Sequence, residues 1–304
     1  MTGAFAGTPR FRPMIHKASV LIEALPYIRR FQGAVIVIKY GGHAMVDEAL
    51  KQGFAEDVTL LKYVGFKPVV VHGGGPQIND LLRRLSIPSH FIEGQRFTDE
   101  ATMDVVEMVL TGQVGQEIVG RINRIGGLAV GLSGKDARLI EARRKRLSRE
   151  DPGESGEPGI LDIGLVGEPV RVNTEFLSHL TASAVIPVIA PVGFGPEGET
   201  LNINADSVAG ALAGALGAEK LILLTDVEGV LDRDGRLIER LSITEIEKLK
   251  REGVVSGGMI PKLDSVAGAL AAGCRGVYIV DGRRPHALLL ELFTDQGCGT
   301  AIVP

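Results

Sequence analysis

Three segments of the chain place glycine or polar residues where a β-strand should hand over to a helix. Glycine lets the backbone approach a bulky anion, and a helix start offers free N–H groups and a positive dipole end to hold it. A phosphate-binding function is therefore predicted, although the common loop G-x-x-x-x-G-K-[ST] is absent, since residues 131–136 lack its upstream glycine and its hydroxyl. The segments are Val37-Ile38-Lys39-Tyr40-Gly41-Gly42, Val71-His72-Gly73-Gly74-Gly75 and Leu201-Asn202-Ile203-Asn204-Ala205-Asp206.

Two lysines could supply positive charge to a phosphate. Lys39 ends an apolar strand just before a glycine pair, so its ammonium should lie at the strand tip; a lysine there can also simply reach solvent. Lys262 lies near a predicted helix start, where a cation opposes the helix dipole and needs an anionic partner. The pattern predicts two lysines that flank one phosphate.

The third segment, residues 201–206, has polar side chains just before and at the predicted start of a helix. Asn202, Asn204 and Asp206 alternate, so an extended backbone would place all three on one face. Asp206 could cap the helix that begins at residues 205–207, but capping would not explain both asparagines. The run Gly73-Gly74-Gly75-Pro76 suits an anion against backbone amides, with a plain tight turn as the alternative.

The elements that must position these residues follow from hydrophobic periodicity. Short β-branched runs alternate with longer amphipathic stretches, which predicts an α/β fold with a mostly parallel open sheet sandwiched by helices. Ligands of such sheets lie beyond the carboxyl ends of the strands, where all three segments fall. The expected strands are 34–39, 67–72, 128–132, 184–190, 220–225 and 276–280, and the expected helices are 47–64, 76–86, 99–125, 206–216, 242–252, 261–272 and 285–293.

The alternation of strands and helices breaks twice, and a polar segment later in the chain suggests a division into two lobes. Short extended pieces are expected within 87–98 and hairpins that close over a substrate within 137–172. The polar, turn-rich segment 193–200 is the predicted boundary between an N-terminal lobe, 32–192, and a C-terminal lobe, 193–304. Ahead of them we expect a flexible tail, 1–16, and a helix, 17–31, kinked at Pro26, that packs on its own protomer or pairs with another subunit.

Composition excludes several classes of function. With 304 residues, 45% hydrophobic content, a net charge of −4 and no tryptophan, the chain lacks the basic and aromatic surface of a nucleic-acid-binding protein. No apolar run reaches the roughly 20 residues that span a bilayer. Cys274 and Cys298 have no metal-binding spacing and indicate reduced thiols in a cytoplasmic protein, and the histidines, including His43, His72 and His90, show no metal-binding pattern.

Two further patterns are weaker. Residues 193–198 match G-x-G-x-x-G, with Asp226 ending the next strand, but Pro196 interrupts the motif and no helix opens at the glycines, which argues against a dinucleotide-dependent dehydrogenase. The basic cluster of residues 143–149 is interpreted as a solvated hairpin face, or else as a docking surface for an acidic partner.

Taken together, the chain resembles the acetylglutamate kinases of the amino acid kinase family over residues 17–304. The resemblance implies that ATP phosphorylates the side-chain carboxylate of N-acetyl-L-glutamate, in an amino acid kinase fold whose N-terminal lobe holds the amino acid and whose C-terminal lobe holds the nucleotide. The motifs that carry it are Lys39-Tyr40-Gly41-Gly42, His72-Gly73-Gly74-Gly75, Gly94-Gln95-Arg96-Phe97-Thr98, Leu201-Asn202-Ile203-Asn204-Ala205-Asp206, Thr225-Asp226-Val227-Glu228-Gly229-Val230 and Gly257-Gly258-Met259-Ile260-Pro261-Lys262.

The resemblance also implies roles for individual residues. Lys39 and Lys262 would stabilise the transferring phosphoryl group, Asp206 would hold both lysines, and Mg²⁺ would enter on ATP without a protein metal site. Residues implied to bind acetylglutamate are Gly74, Gly75, Arg96 and Asn202, and those implied to contact the nucleotide are Gly42, Asp226, Leu231, Val255 and Ser256.

Regulation is implied by the N-terminal arm and the C-terminal segment 286–300, which resemble those of arginine-inhibited, hexameric members, assembled as trimers of dimers. A nitrogen-signalling protein as a further partner is left open, and so are two alternatives. One is a kinase for aspartate, glutamate or a carrier-bound aminoadipate, and the other is a catalytically silent amino-acid sensor. The implied arginine pocket contains Tyr27, Lys220, His286, Glu291 and Gly299.

Overall fold

The computed structural model describes residues 11–148, 160–255 and 257–304 of the chain. Its strands are β1 Val35–Tyr40, β2 Lys67–His72, β3 Phe91–Ile92, β4 Gln95–Arg96, β5 Ala129–Ser133, β6 Ile140–Ser148, β7 Ile160–Val172, β8 Ile186–Ala190, β9 Val192–Phe194, β10 Thr200–Ile203, β11 Lys220–Thr225, β12 Arg240–Ser242, β13 Val277–Asp281 and β14 Thr300–Val303. Its α-helices are α1 Arg12–Phe31, α2 Glu48–Tyr63, α3 Gly75–Arg84, α4 Glu100–Glu107, α5 Gly115–Arg124, α6 Thr174–Ala182, α7 Ala205–Ala215, α8 Ile243–Arg251, α9 Met259–Ala271 and α10 Ala287–Leu292. Two 3-10 turns, Gly42–Met45 and Asp136–Arg138, and a π-helical turn, Met108–Val114, complete the helical elements.

The central sheet has eight strands in the order β12-β14-β13-β11-β1-β2-β8-β5. β1 lies between β11 and β2 and runs parallel to both. Only at one end does the direction change, where β14 is antiparallel to β13 and pairs in parallel with β12. The predicted α/β class with a mostly parallel sheet is therefore confirmed.

Side-chain alternation along the strands divides the core into two layers. Ile36 and Ile38 of β1 belong to the cluster formed with α2, α4 and α5, whereas Val37 belongs to the cluster formed with α7 and α9. Successive side chains of a strand point to opposite faces, so an unbroken run of β-branched residues is what a sheet covered on both faces needs. Because β1, β2 and β11 are parallel, their carboxyl ends lie at the same edge of the sheet.

A second, smaller sheet forms a closed barrel of β10, β7, β6 and β9. The hairpin expected within 137–172 is its antiparallel β6–β7 pair. The segment 193–200, predicted as the boundary between lobes, contains the end of β9, the start of β10 and the turn that joins these antiparallel strands, with Thr200 paired with Phe194. The division into lobes at this segment stays a prediction.

Two helices differ from their expected form. The helix expected over 99–125 is interrupted by the π-helical turn. The arm helix α1 begins at Arg12, ahead of the predicted start at Lys17, and it continues through Pro26. The predicted flexible tail therefore overlaps this helix at residues 12–16, and residues 1–10 lie outside the described part of the chain. Among the described residues, no helix has the length and apolar character to cross a membrane.

Candidate active site

Two lysines from distant parts of the sequence meet at one carboxylate. Lys39 lies at the end of β1, Lys262 in the first turn of α9 and Asp206 in the first turn of α7. The Nζ of Lys39 is 3.1 Å from Oδ1 of Asp206, and the Nζ of Lys262 is 2.7 Å from Oδ2. These side chains are only 13–14% exposed. The structure therefore brings the three predicted catalytic residues together at the carboxyl edge of the sheet.

The charge state of Asp206 follows from its surroundings. Burial alone would raise the pKa of Asp206, but the ammonium groups of Lys39 and Lys262 together hold that pKa below its ordinary value. The Lys39 contact is an ion pair without the alignment of a hydrogen bond, since Oδ1 of Asp206 has no hydrogen-bond partner among the described residues. Asp206 is therefore an anion that holds two cations without satisfying all of their donors.

The helix cap differs from the one expected. Asn204, and not Asp206, caps α7, because its side-chain oxygen accepts hydrogen bonds from the backbone N–H groups of Asp206 at 2.8 Å and Ser207 at 3.2 Å. Sequence could not separate the two residues, since both types are good helix caps. The consequence is functional: with Asn204 at the cap, the carboxylate of Asp206 is available to the lysines.

The glycine segments line a cavity of about 190 Å³ around these charges. A Cβ at Gly41 would lie 2.7 Å from the Nζ of Lys39, so only glycine leaves the ammonium its present place. Gly42 has a φ of +72°, a left-handed conformation that favours glycine. The cavity has the positive charge and free backbone that a phosphoryl group needs, and its lining includes Lys39, Gly41, Gly42, Gly73, Gly74, Gly75 and Asp206.

A second cavity of about 210 Å³ adjoins the first, and residues 73–75 with Asn204 and Ala205 line both. It also contains Arg96 from β4 and Asn202 from β10, whose Nδ2 donates to the Thr98 hydroxyl at 3.2 Å. All four residues expected to bind the amino acid therefore lie in this cavity, beside the lysines. Their individual roles stay predictions.

Arg96 is a buried guanidinium held by neutral groups. It is 8% exposed, donates to the amide oxygen of Asn79 at 2.6 Å and to the Ser89 hydroxyl, and lies over the ring of Phe91 at 4.8 Å. Burial lowers the pKa of Arg96, and within residues 11–148, 160–255 and 257–304 no carboxylate pairs with it. A buried cation of this kind is suited to bind an anionic ligand.

The residues expected to contact the nucleotide are only partly brought together. Gly42 lies against Asp226, which accepts a hydrogen bond from the backbone N–H of His43 at 2.6 Å. Leu231 and Val255 line neither of the two cavities. Ser256 lies outside the described residues. Among the residues that are described, no group of three or more His, Cys, Asp or Glu side chains could hold a metal ion.

The residues expected to form an effector pocket fall into two groups. Lys220 of β11 lies 3.7 Å from Oε1 of Glu291 on α10 and 3.8 Å above the ring of Tyr278. Burial lowers the pKa of Lys220, and the negative charge of Glu291 acts in the opposite direction. The other oxygen of Glu291 accepts from the backbone N–H of Cys298 at 3.0 Å. This ion pair therefore links the last helix to the central sheet.

The other residues expected in the effector pocket, Tyr27, Gly299 and His286, have different contacts. The Tyr27 hydroxyl donates to Asp295 at 2.7 Å, which ties α1 to the segment after α10. A Cβ at Gly299 would collide with the carbonyl of Ile279, so a close backbone approach accounts for this glycine. His286, by contrast, pairs through Nδ1 with Asp57 of α2 at 2.6 Å. The structure thus places His286 with α2, apart from the Lys220–Glu291 pair.

Comparison with known proteins decides the family. Residues 34–281 match the amino acid kinase family, which is most of the chain. The chain belongs to this family.

Its relatives include kinases that are similar along nearly their whole length. It is 59% identical over 290 residues to an acetylglutamate kinase of Syntrophobacter fumaroxidans, covering 95% of this chain and 97% of the relative. An acetylglutamate kinase of Acidiphilium cryptum is 56% identical over 286 residues, covering 94% and 95% of the two chains. The resemblance drawn from the sequence motifs is confirmed, and so is the prediction that the chain is an enzyme, a kinase.

Solved structures share the fold. An N-acetylglutamate synthase from Neisseria gonorrhoeae, complexed with coenzyme A and N-acetyl-glutamate, has a TM-score of 0.80 at 26% identity and covers 94% of this chain. This chain spans only 63% of that synthase chain. A carbamate kinase from Giardia lamblia bound to AMP-PNP has a TM-score of 0.64 at 17% identity, over 89% of this chain and 98% of that one, which is a likeness of fold alone.

The two side chains that accept hydrogen bonds from Arg96 of this kinase, Asn79 and Ser89, could not be identified from the sequence. Asn79 lies one helical turn after Gly75 on α3, so the spacing could have predicted that both residues lie on the same face of the helix. Ser89 lies in the irregular segment before β3, where no periodicity exists to orient a side chain. The sequence also gave no indication that His286 pairs with Asp57, because Asp57 lies far away along the chain in a helix of ordinary amphipathic pattern.

Proposed function

We propose that this kinase transfers the γ-phosphoryl group of ATP to the side-chain carboxylate of N-acetyl-L-glutamate, in the cytoplasm, as a step of arginine biosynthesis. The observation that carries the proposal is the pair of adjoining cavities. One is lined by Lys39 and by Asp206, the carboxylate that also contacts Lys262, and the other is lined by the buried guanidinium of Arg96. The names of the relatives, acetylglutamate kinases at 56–59% identity, support the choice of amino acid.

The reaction requires positioning and charge neutralisation more than proton transfer. A carboxylate acceptor is already ionised at pH 7, so its oxygen can attack the γ-phosphorus without a general base. The new bond joins that oxygen to phosphorus, the bond from phosphorus to the β,γ-bridging oxygen breaks, and the electron pair leaves with ADP. The products are N-acetyl-L-glutamyl 5-phosphate and ADP.

Lys39 and Lys262 would stabilise the charge on the transferring group. An ammonium about 4 Å from a unit charge contributes about 4 kcal/mol at an effective dielectric constant of about 20. Both ammonium groups are fixed in advance by Asp206, so little reorganisation is needed when charge develops. Asp206 is thus assigned a positioning function and the two lysines a catalytic one.

The substrates would occupy the two cavities. Arg96 would bind the α-carboxylate of acetylglutamate, Asn202 would donate to an oxygen, and the backbone N–H groups of Gly74 and Gly75 would face the amino acid. Mg²⁺ would enter with ATP, bound by phosphates and water, because it prefers to keep several waters. The nucleotide contacts proposed are Gly42, Asp226, Leu231, Val255 and Ser256.

A coupled assay of ADP release tests this function. N-acetyl-L-glutamate, L-glutamate and L-aspartate are supplied as separate acceptors at equal concentration with MgATP. We expect turnover with acetylglutamate and at least tenfold less with the other two. Preferential turnover of glutamate or aspartate would assign the chain to another branch of the family, and ADP release with no acceptor-dependent component would overturn the proposal.

We also propose that L-arginine inhibits the enzyme and that it assembles as a hexamer, a trimer of dimers. A synthase from Neisseria gonorrhoeae with a TM-score of 0.76 at 26% identity, covering 94% of this chain and 65% of its own, is complexed with L-arginine. In this chain the carboxylate of Glu291 could accept from a guanidinium, beside Lys220 and the Tyr27 arm. Apolar residues on α1, including Leu21 and Ile22, lie exposed and would pair with another subunit.

A further inference from the structure

The helix that covers the β2–α3 loop contains the π-helical turn, Met108–Val114. At its end the backbone N–H of Gly115 donates to the carbonyl of Leu110, five residues earlier. A π-turn inserts one extra residue into an α-helix and is frequently found at functional sites. Here it directs the buried side chains of Leu110 and Val114 toward the loop formed by residues 73–75.

The turn and the loop fit together through two glycines. A Cβ at Gly74 would lie 2.6 Å from Cδ2 of Leu110 and 3.4 Å from Cγ2 of Val114. The φ of Gly74 is 172°, an extended value that any residue adopts, so space and not backbone conformation requires glycine there. On the helix side, a Cβ at Gly115 would lie 3.3 Å from Nε2 of His72. The π-turn is thus packed tightly against the loop that forms both cavities.

Leu110 also forms part of the cavity that contains Arg96. The lining of that cavity combines the polar side chains of Arg96 and Asn202 with several apolar ones, which are Ile78, Leu110, Val166, Pro191 and Ile203. Acetylglutamate carries two carboxylates, an amide and one methyl group. Because the carboxylates need polar partners, the methyl group is the part of the substrate that suits the apolar side chains, Leu110 among them.

We infer that Leu110, held by the π-helical turn, sets the size of the N-acyl group that this kinase accepts. The inference rests on the proposed function and adds a specificity-determining residue to it. Leu110 is 2% exposed and already meets Gly74, so it has little room to retreat from a larger acyl group. A bulkier acyl group would therefore be excluded by leucine and admitted by a smaller side chain.

The test compares Leu110→Ala with the wild-type enzyme on N-acetyl-, N-propionyl- and N-butyryl-L-glutamate. We expect the ratio of kcat/KM for the propionyl over the acetyl substrate to rise about tenfold or more, as one methylene in an apolar pocket commonly does. The KM for ATP should stay within about twofold. Leu110→Val, which removes less volume, should give a smaller change in the same direction. It replaces Leu110→Ala as the test if the alanine variant does not fold. Met108→Ala, at a 56% exposed position of the same turn, is the matched control.

A second pair of variants tests the contact itself. Gly74→Ala should lower kcat/KM for acetylglutamate because its new methyl group collides with Leu110, and adding Leu110→Ala should restore part of that loss. An unchanged acyl ratio in both Leu110 variants, with wild-type activity on acetylglutamate, would overturn the inference and leave the proposed function intact. A wild-type enzyme inactive on acetylglutamate would instead overturn the proposed function.

Discussion

Asp206 is the residue at which the two candidate catalytic cations meet. Its carboxylate contacts Lys39 at 3.1 Å and Lys262 at 2.7 Å, in surroundings that leave it about one-seventh exposed. Two ammonium groups this close repel each other unless an anion separates them. The shared carboxylate therefore determines where both positive charges lie before substrates bind.

The variant Asp206→Asn should lower kcat by about 10²-fold, since loss of one preorganised electrostatic contact costs roughly this much. The KM for acetylglutamate should change little, because Asp206 does not line the cavity that contains Arg96, the proposed site of the amino acid. Steady-state kinetics with both substrates measures the effect. The control is Asp264→Asn, at an exposed aspartate that lies on α9 like Lys262 and pairs with Lys250 of α8. Its kcat should stay near that of the wild type. A kcat for Asp206→Asn within threefold of wild type would remove the positioning function.

Arg96 should affect binding more than turnover. The variant Arg96→Ala removes a buried cation that is held only by neutral groups and a ring, so we expect the KM for acetylglutamate to rise about 10²-fold. The KM for ATP should not change. Arg83→Ala, an exposed arginine of α3 paired with Asp80, is the control. If kcat fell and the KM for acetylglutamate did not rise, Arg96 would have a different function from carboxylate binding.

The meeting of the candidate catalytic residues was largely predictable at this scale, because each of them occupies a position that sequence can recognise. Lys39 ends a buried strand before two glycines, and Lys262 follows a helix start, so both had to lie near the carboxyl edge of the sheet. The identity of the helix cap could not be predicted, since Asn204 and Asp206 are equally suited to that position. Side chains that support Arg96 from irregular segments gave no signal.

At the scale of elements, His286 and Asp57 connect the start of α10 to the middle of α2. Burial raises the pKa of Asp57 to about 6, although the neighbouring His286 acts to lower it. The hydrogen bond to Asp57 raises the pKa of His286, and Glu56 raises both values by its charge. Since both pKa values are raised, the folded state binds more protons than the unfolded state over the pH range between the ordinary and the raised values.

Stability from this pair is therefore present at low pH and is lost as pH rises through the folded pKa values, about 6 for Asp57. The wild-type protein should lose more Tm between pH 5 and pH 8 than the double variant Asp57→Asn/His286→Asn. Thermal unfolding followed by circular dichroism at both pH values measures the difference. His179→Asn, a substitution at an exposed histidine of α6, should behave like wild type. Equal Tm losses in the double variant and the wild type would contradict the linkage.

The elements themselves were predictable where a long periodic pattern exists. The strands at 67–72 and 220–225 lie at the predicted residues, because their short apolar runs are buried on both faces of the sheet. The hairpin at residues 193–200 could not be predicted from composition, since a polar, glycine-rich hairpin turn and a linker between lobes have the same composition. The π-turn at 108–114 could not be predicted, because it shifts the hydrophobic spacing of the helix by only a single residue.

At the scale of the whole molecule, α1 connects to the rest of the chain through its last turns. Tyr27 donates to Asp295 and packs edge-on against Phe293 at 6.4 Å, whereas Leu21 further out is 72% exposed. An exposed apolar stripe on a helix commonly marks an interaction surface. The proposed hexamer gives this stripe a second copy of the chain as its partner.

Deletion of residues 1–30 should therefore abolish arginine inhibition and assembly beyond a dimer. Analytical ultracentrifugation gives the mass of the assembly, and kinetics with and without L-arginine gives the inhibition. Tyr27→Phe, which keeps the arm and removes only the hydroxyl, should remain a hexamer. A hexamer after truncation would refute the assembly proposal, and retained inhibition would place the effector site elsewhere.

In the proposed reaction, the ammonium groups of Lys39 and Lys262 act together on the phosphoryl group that acetylglutamate receives. The most direct measurement is the rate of hydroxamate formation, in which hydroxylamine traps the acyl phosphate, at saturating ATP and N-acetyl-L-glutamate. We expect Lys39→Ala and Lys262→Ala each to lower kcat by about 10²-fold or more. A Lys39→Ala enzyme that forms hydroxamate at nearly the wild-type rate would contradict the central claim.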